Sequence, residues 1–173
     1  MSITRAGLFA ALDALGIEHE TVDHPAIFTV EEGRGFKSAM KGGHSKNLFL
    51  KDKKGGLALA VAWCDTAADL VGLGKALGAQ GRYSFAKPDL MAETLGVAPG
   101  SATPFALLNA QRGALKHVAV DSALLRFDQV WFHPLENTAS TAISPTDLLR
   151  FVQRCGVAPA IIDFADPRPT SGA

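Results

Sequence analysis

Between Thr4 and Leu15 apolar residues recur at Leu8, Leu12 and Leu15, with Phe9 beside them, and Gly16 follows as a stop. That period predicts a helix with one buried face. "IEHETVDH" (17–24) reads as a short strand closed by His24-Pro25. Thr29-Val30-Glu31-Glu32 has the spacing of a capping box, so a short helix should start there, weakened by Gly33 and Gly35. "KNLFLKD" and "LALAVAW", joined by Lys53-Lys54-Gly55-Gly56, predict a hairpin. Its second strand has only alanines between Leu57, Leu59, Val61 and Trp63, so both faces should be covered.

Asp65 is placed as the cap of a helix running through Ala76 and ending at Gly78, and a second helix spans Pro88 to Gly96. "VAPGSATPFALLN" reads as a structured loop feeding a strand. "KHVAVD", "DQVWFHPL" and "TASTAIS" are further strands; Ser144-Pro145 opens a helix stopped by Gly156, and "APAIIDF" is a last strand. The expected fold class is α/β: a single domain with a mixed sheet flanked by helices. Residues 1–164 should form that domain and 165–173 a frayed tail.

Composition narrows the class. The chain has 173 residues, 47% hydrophobic and 20% charged, enough for one buried core and too apolar for disorder. The longest apolar stretch, Leu57 to Trp63, is too short to span a membrane, and the N-terminal pattern is amphipathic rather than signal-like. Two cysteines without metal-ligand spacing point to a reducing, cytoplasmic setting. Formal charge is zero, from 17 basic and 17 acidic residues. Yet Arg34 to Lys54 holds seven basic residues (34, 37, 41, 46, 51, 53, 54) against Asp52 alone. This +6 segment can attract a phosphate backbone, although a solvated lysine-rich hairpin is the plainer reading.

No P-loop, GxGxxG, HExxH or GxSxG occurs, and the five histidines are scattered. Three places stand out. Lys46-Asn47 enters a buried strand from a glycine-rich basic loop. Pro99-Gly100-Ser101 is a tight turn with backbone N–H groups to offer, and His133-Pro134 ends a strand. Together they suggest a cation, backbone donors and an imidazole, without an evident nucleophile.

Four blocks in order, "HPAIFTVEE", "KNLFL", "LGVAPGSATPF" and "FHPLENTASTAIS.TDLLRF", resemble the YbaK/ProX family of aminoacyl-tRNA deacylases, which also occur as the editing insertion of bacterial prolyl-tRNA synthetases. The resemblance spans about Ile17 to Phe151 and is strongest to the freestanding deacylases that clear alanine from tRNA(Pro). One departure is Ala102, where valine is expected. The resemblance implies a mixed, strongly curved sheet with helices around it. It places the functional lysine, glycine and histidine on Lys46, Gly100 and His133; Asn47, beside the lysine, and Ser101, in the turn beside the glycine, are candidate substrate contacts. It also implies hydrolysis of the ester at the 3′-terminal adenosine without metal or other cofactor. The substrate's own ribose hydroxyl would help position the water. The expected partner is the acceptor end of tRNA(Pro), with prolyl-tRNA synthetase as a second.

A synthetase built for proline cannot strongly reject smaller alanine by binding alone, so an editing pocket should admit by size. Ile27, Phe28 and Val30 are the candidate walls. Three alternatives stay open: a deacylase for cysteine or serine on tRNA, a non-catalytic tRNA- or synthetase-binding module, and a hydrolase of small-molecule esters.

Overall fold

The computed structural model describes residues 1–168, so the predicted tail lies mostly outside the described residues. Eight strands form one mixed sheet in the order β1-β7-β6-β2-β3-β5-β8, with β4 on the edge of β2. They are β1 (Glu20–Asp23), β2 (Gly43–Lys51), β3 (Leu57–Trp63), β4 (Ser84–Phe85), β5 (His117–Asp121), β6 (Val130–Phe132), β7 (Ala139–Ile143) and β8 (Pro159–Ile162). Five helices surround it: α1 (Arg5–Ala14), α2 (Val30–Lys37), α3 (Leu70–Leu77), α4 (Pro88–Leu95) and α5 (Pro145–Arg154). Parallel pairs (β2/β6, β3/β5, β5/β8) mix with antiparallel ones, as the α/β reading expects. No helix among the described residues is long and apolar enough to cross a membrane.

The alternation in β3 explains the two-sided core. Leu59 and Val61 join the larger cluster with Leu8, Leu12, Phe49, Leu95, Phe105 and Phe151. Ala58, Ala60 and Ala62 face the other way with Leu73 of α3, Tyr83 and Phe164. Small side chains on that face let α3 approach the sheet closely.

Thr29 and Ser144 accept N–H groups at the helix starts predicted for them, the Thr29/Glu32 capping box is complete, and Thr4 caps α1 in the same way. Three assignments change. The cap of α3 is Asp69 rather than Asp65, because Asp69 is the residue whose carboxylate meets the Gly72 N–H. "PFALL" makes a 3-10 turn, Pro104–Leu108, capped by Thr103, instead of leading straight into a strand. The two-residue β4 is additional, too short to leave any periodicity.

What positions the site is a parting of the sheet along β2. On one edge β2 is fully paired with β3, from Ser45 to Lys51. Its other edge pairs with β6 only at Gly43 and His44, and with β4 only at Leu50 and Lys51. Between them, among the described residues, that edge has no strand opposite it. The Phe49 carbonyl points to this edge, where it accepts the Ala86 N–H at 2.9 Å. By strand alternation, Asn47 therefore turns its own backbone N–H and C=O into the gap.

Candidate active site

The gap opens into a cavity of about 330 Å³. Its lining brings together Lys46, Asn47, Gly100 and His133, with Ile27, Phe28 and Val30 on the α2 side. Residues far apart in the chain thus meet where the sheet parts. Ser101 is the predicted site residue that does not line it. It is buried, and its N–H closes the turn onto the Ala98 carbonyl at 3.1 Å.

Packing holds the pieces in place. The Phe105 ring meets Phe132 edge-on at 5.7 Å and Phe151 at 5.5 Å. It thereby ties the loop carrying Gly100 to the strand that ends at His133. The segment before α2 is pinned to the loop before β7 by reciprocal bonds. Ile27 N–H donates to the Asn137 carbonyl at 3.1 Å, and Asn137 Nδ2 donates to the Ile27 carbonyl at 3.2 Å.

Lys46 lies on the α3 face of β2, opposite Ala62, and its Nζ donates to the Thr66 carbonyl. An ammonium has three N–H donors, so two remain for a ligand. Thr66 is itself held, since its hydroxyl donates to the buried Asp121 carboxylate at 2.7 Å. Asn47 lies on the other face. Ser45 Oγ donates to the Trp131 carbonyl at 2.8 Å, so toward Asn47 it can only accept, and Asn47 Nδ2 donates to it at 3.2 Å. That fixes the amide orientation and leaves Asn47 Oδ1 buried without a partner among the described residues. A buried acceptor left unpaired costs about 1–3 kcal/mol and is uncommon outside functional places.

His133 Nδ1 meets the Ala139 carbonyl at 3.0 Å. A carbonyl only accepts, so Nδ1 carries the proton and Nε2 of the neutral ring presents a lone pair. Burial is the main force lowering the His133 pKa; the Ala139 bond opposes it, and His24 and Lys37 add to it. Neutral imidazole is thus favoured near pH 7. Gly100 has φ +84, and a Cβ there would lie 3.1 Å from the Phe28 ring and 3.5 Å from Asn137 Nδ2. Glycine answers both demands, a left-handed backbone and a close neighbour.

Two residues of the cavity carry no signal of their own in the sequence. Ser140, buried within the "TASTAIS" strand, bonds His24 Nε2 at 2.8 Å, while His24 Nδ1 faces the Pro25 carbonyl at 2.8 Å. Phe85 enters from β4, the strand the periodicity missed. Neither cysteine is activated: burial pushes the Cys155 thiol up to about 11, and Cys64 is raised in the same direction.

Comparison with known proteins decides the family. The family model "Aminoacyl-tRNA editing domain" matches residues 24–151. The chain belongs to the aminoacyl-tRNA editing domain family. Over 164 residues this editing domain is 44% identical to "Prolyl-tRNA synthetase associated domain-containing protein 1" of Bos taurus, covering 92% of the chain and 95% of the relative. It is 31% identical to "Prolyl-tRNA editing protein ProX" of Acetoanaerobium sticklandii, covering 88% and 92%. A solved structure described as "a putative trans-editing enzyme for prolyl tRNA synthetase" superposes with a TM-score of 0.69 at 22% identity, covering 92% of this chain and 98% of that one. At that identity the likeness speaks for the fold, a mixed sheet with helices around it.

Proposed function

We propose that this editing domain hydrolyses the ester of mischarged tRNA(Pro), alanyl-tRNA(Pro) before others, by attack of a positioned water. The observation that carries the reading is the convergence of Lys46, Asn47, Gly100 and His133 on one cavity at an unpaired strand edge. The names of the relatives, prolyl-tRNA editing and prolyl-tRNA synthetase associated, agree with the tRNA and the amino acid's cognate system.

An aminoacyl ester is already activated, so orientation of water and ester supplies much of the rate and no protein nucleophile is required. Lys46, braced on Thr66, holds the terminal phosphate or the ester carbonyl with its remaining donors. The backbone N–H groups of Gly100 and of Asn47 at the open edge are candidates for the oxygen that gains charge. His133, neutral with Nε2 as acceptor, orients the amino acid's ammonium or the terminal ribose hydroxyl. Asn47 Oδ1 is a further acceptor for the same groups. Ile27 and Val30 are half-buried and suit a size-limiting wall.

The decisive experiment is a panel of aminoacyl-tRNAs incubated with the purified protein. Alanyl-tRNA(Pro) should lose its amino acid while prolyl-tRNA(Pro) survives. Faster loss of seryl or cysteinyl esters would reassign the substrate. Salt-dependent tRNA binding with no ester loss would instead make the protein a binding module.

A further inference from the structure

Phe28 was expected as a rigid pocket wall, yet its side chain is mostly in solvent. Phe28 is 66% exposed and Phe85 65%, and both line the same cavity. Each is held by its backbone rather than by packing of its ring. Phe28 stands just before the Thr29 cap, where its N–H donates to Glu32 Oε2 at 2.7 Å. A hydrophobic residue at that position ordinarily packs on the fourth residue of the helix. Here the fourth residue is Gly33, which has no side chain to offer, and the space above it is taken by Ile27 and the stem of Lys37. The Phe28 ring is left over Gly100 instead. Phe85 sits in β4, paired with Leu50, and the next N–H is bonded to Phe49. Its ring too has no partner that explains it.

Two exposed rings on firmly held backbones, from different walls of one cavity, stand beside Lys37 and Lys46 in the same lining. They also border the segment from Arg34 to Lys54 that carries the +6 charge. Flat apolar rings interleaved with cations suit an unpaired nucleotide, which brings a π-face and a phosphate together. A purely apolar protein partner would leave those lysines without a counter-charge. We propose that Phe28 and Phe85 form the seat of the 3′-terminal adenine, stacking the base whose ribose bears the ester. This deepens the reading above and rests on it for the identity of the ligand.

The test uses a tRNA minihelix ending in CCA, with fluorescent 2-aminopurine in place of the terminal adenine. Wild-type protein should bind it and quench the fluorophore by stacking. Phe28→Ala with Phe85→Ala should abolish the quenching. On alanyl-minihelix the double variant should raise KM about tenfold, more than any fall in kcat, since one stacked base is worth about that factor or more. Phe→Tyr at both positions should restore quenching and KM; Phe→Leu should not. A wild-type KM and full quenching in the double variant would overturn the seat, as would Leu variants that behave like wild type, because the rings would then serve an apolar protein contact. Failure of the minihelix to bind wild type would overturn it as well. Ring-dependent quenching without deacylation would support the seat while removing the hydrolase reading.

Discussion

The open middle of β2 and the hairpin turn at its far end share one sign of charge, yet they are built on opposite principles. At the turn the buried carboxylate is held from several sides. Asp52 is buried under the hairpin turn and accepts the N–H groups of Lys54, Gly56 and Gln80 at 2.8–3.0 Å, which hold its carboxyl below the usual range. The lysines around it, 53 and 54, are exposed. In the middle of the strand the edge is open, Asn47 Oδ1 is buried without a partner among the described residues, and Lys46 is tied to a backbone carbonyl rather than to a carboxylate. A closed turn contributes to stability, and an open edge is ready for a ligand. What separates lysines eight residues apart is therefore the company each keeps.

The sharpest way to break this contrast is to remove one charge from each of the two places. Lys46→Ala should lower single-turnover deacylation of alanyl-tRNA(Pro) by about 10²-fold, the usual cost of losing a donor that meets developing or bound charge. Lys54→Ala should leave the rate within about twofold at moderate salt, as expected of a distant, screened surface charge. Equal rates for Lys46→Ala and wild type would remove Lys46 from the site.

Much of this contrast was legible in the sequence, for identifiable reasons. The capping box at Thr29, the hairpin, and the Ser144-Pro145 start of α5 are local signals, and local signals survive into the fold. The asymmetry of "LALAVAW", large residues alternating with alanine, foretold a strand covered on both faces. The lysine, glycine and histidine of the cavity stand out singly in the sequence, but their joint assignment to one site came from family resemblance, since no spacing links positions 46, 100 and 133. What stayed hidden depends on non-local pairing. The parting of the sheet arises because β6 and β4 each reach only one end of β2. Ser101 stands outside the cavity lining because a turn residue adjacent to a lining residue need not share its direction. Phe28 lines the cavity with an exposed ring because exposure of a phenyl ring is set by its neighbours, here Gly33 and Gly100.

A second comparison uses two glycines with nearly the same backbone. Gly55, in the hairpin turn, has φ +86 and open space where a Cβ would go, whereas Gly100 has φ +84 with the Phe28 ring 3.1 Å away. Gly55→Ala should cost only the left-handed conformation, about 1 kcal/mol. Gly100→Ala should cost at least that and also displace Phe28 and shift the turn, lowering kcat/KM by about tenfold, an effect typical of small misplacement near a reacting centre. Chemical denaturation of both variants, with the deacylation assay alongside, separates the two effects. Similar activity in both would show that the Gly100 turn does not touch the substrate.

The smallest effect lies in pH. Because burial lowers the His133 pKa, the unfolded chain takes up a proton before the folded one as pH falls through about 6.5. The stability this ring contributes is therefore full above that value and is lost on further acidification toward the folded pKa. His44 and His117 are shifted in the same direction, again chiefly by burial, so all three act together. Melting temperature should decline from pH 7 to pH 5, and His133→Gln should make that decline shallower without removing it. Activity reports on the ring alone. If Nε2 accepts a hydrogen bond from substrate, kcat/KM should fall by severalfold on the acid side, with a midpoint below about 6.5. The substrate's ammonium titrates as well, so the informative quantity is the ratio of wild type to His133→Gln at each pH. A ratio that narrows as pH falls places the unprotonated imidazole at the substrate; a flat ratio would confine His133 to holding the end of β6 against β7.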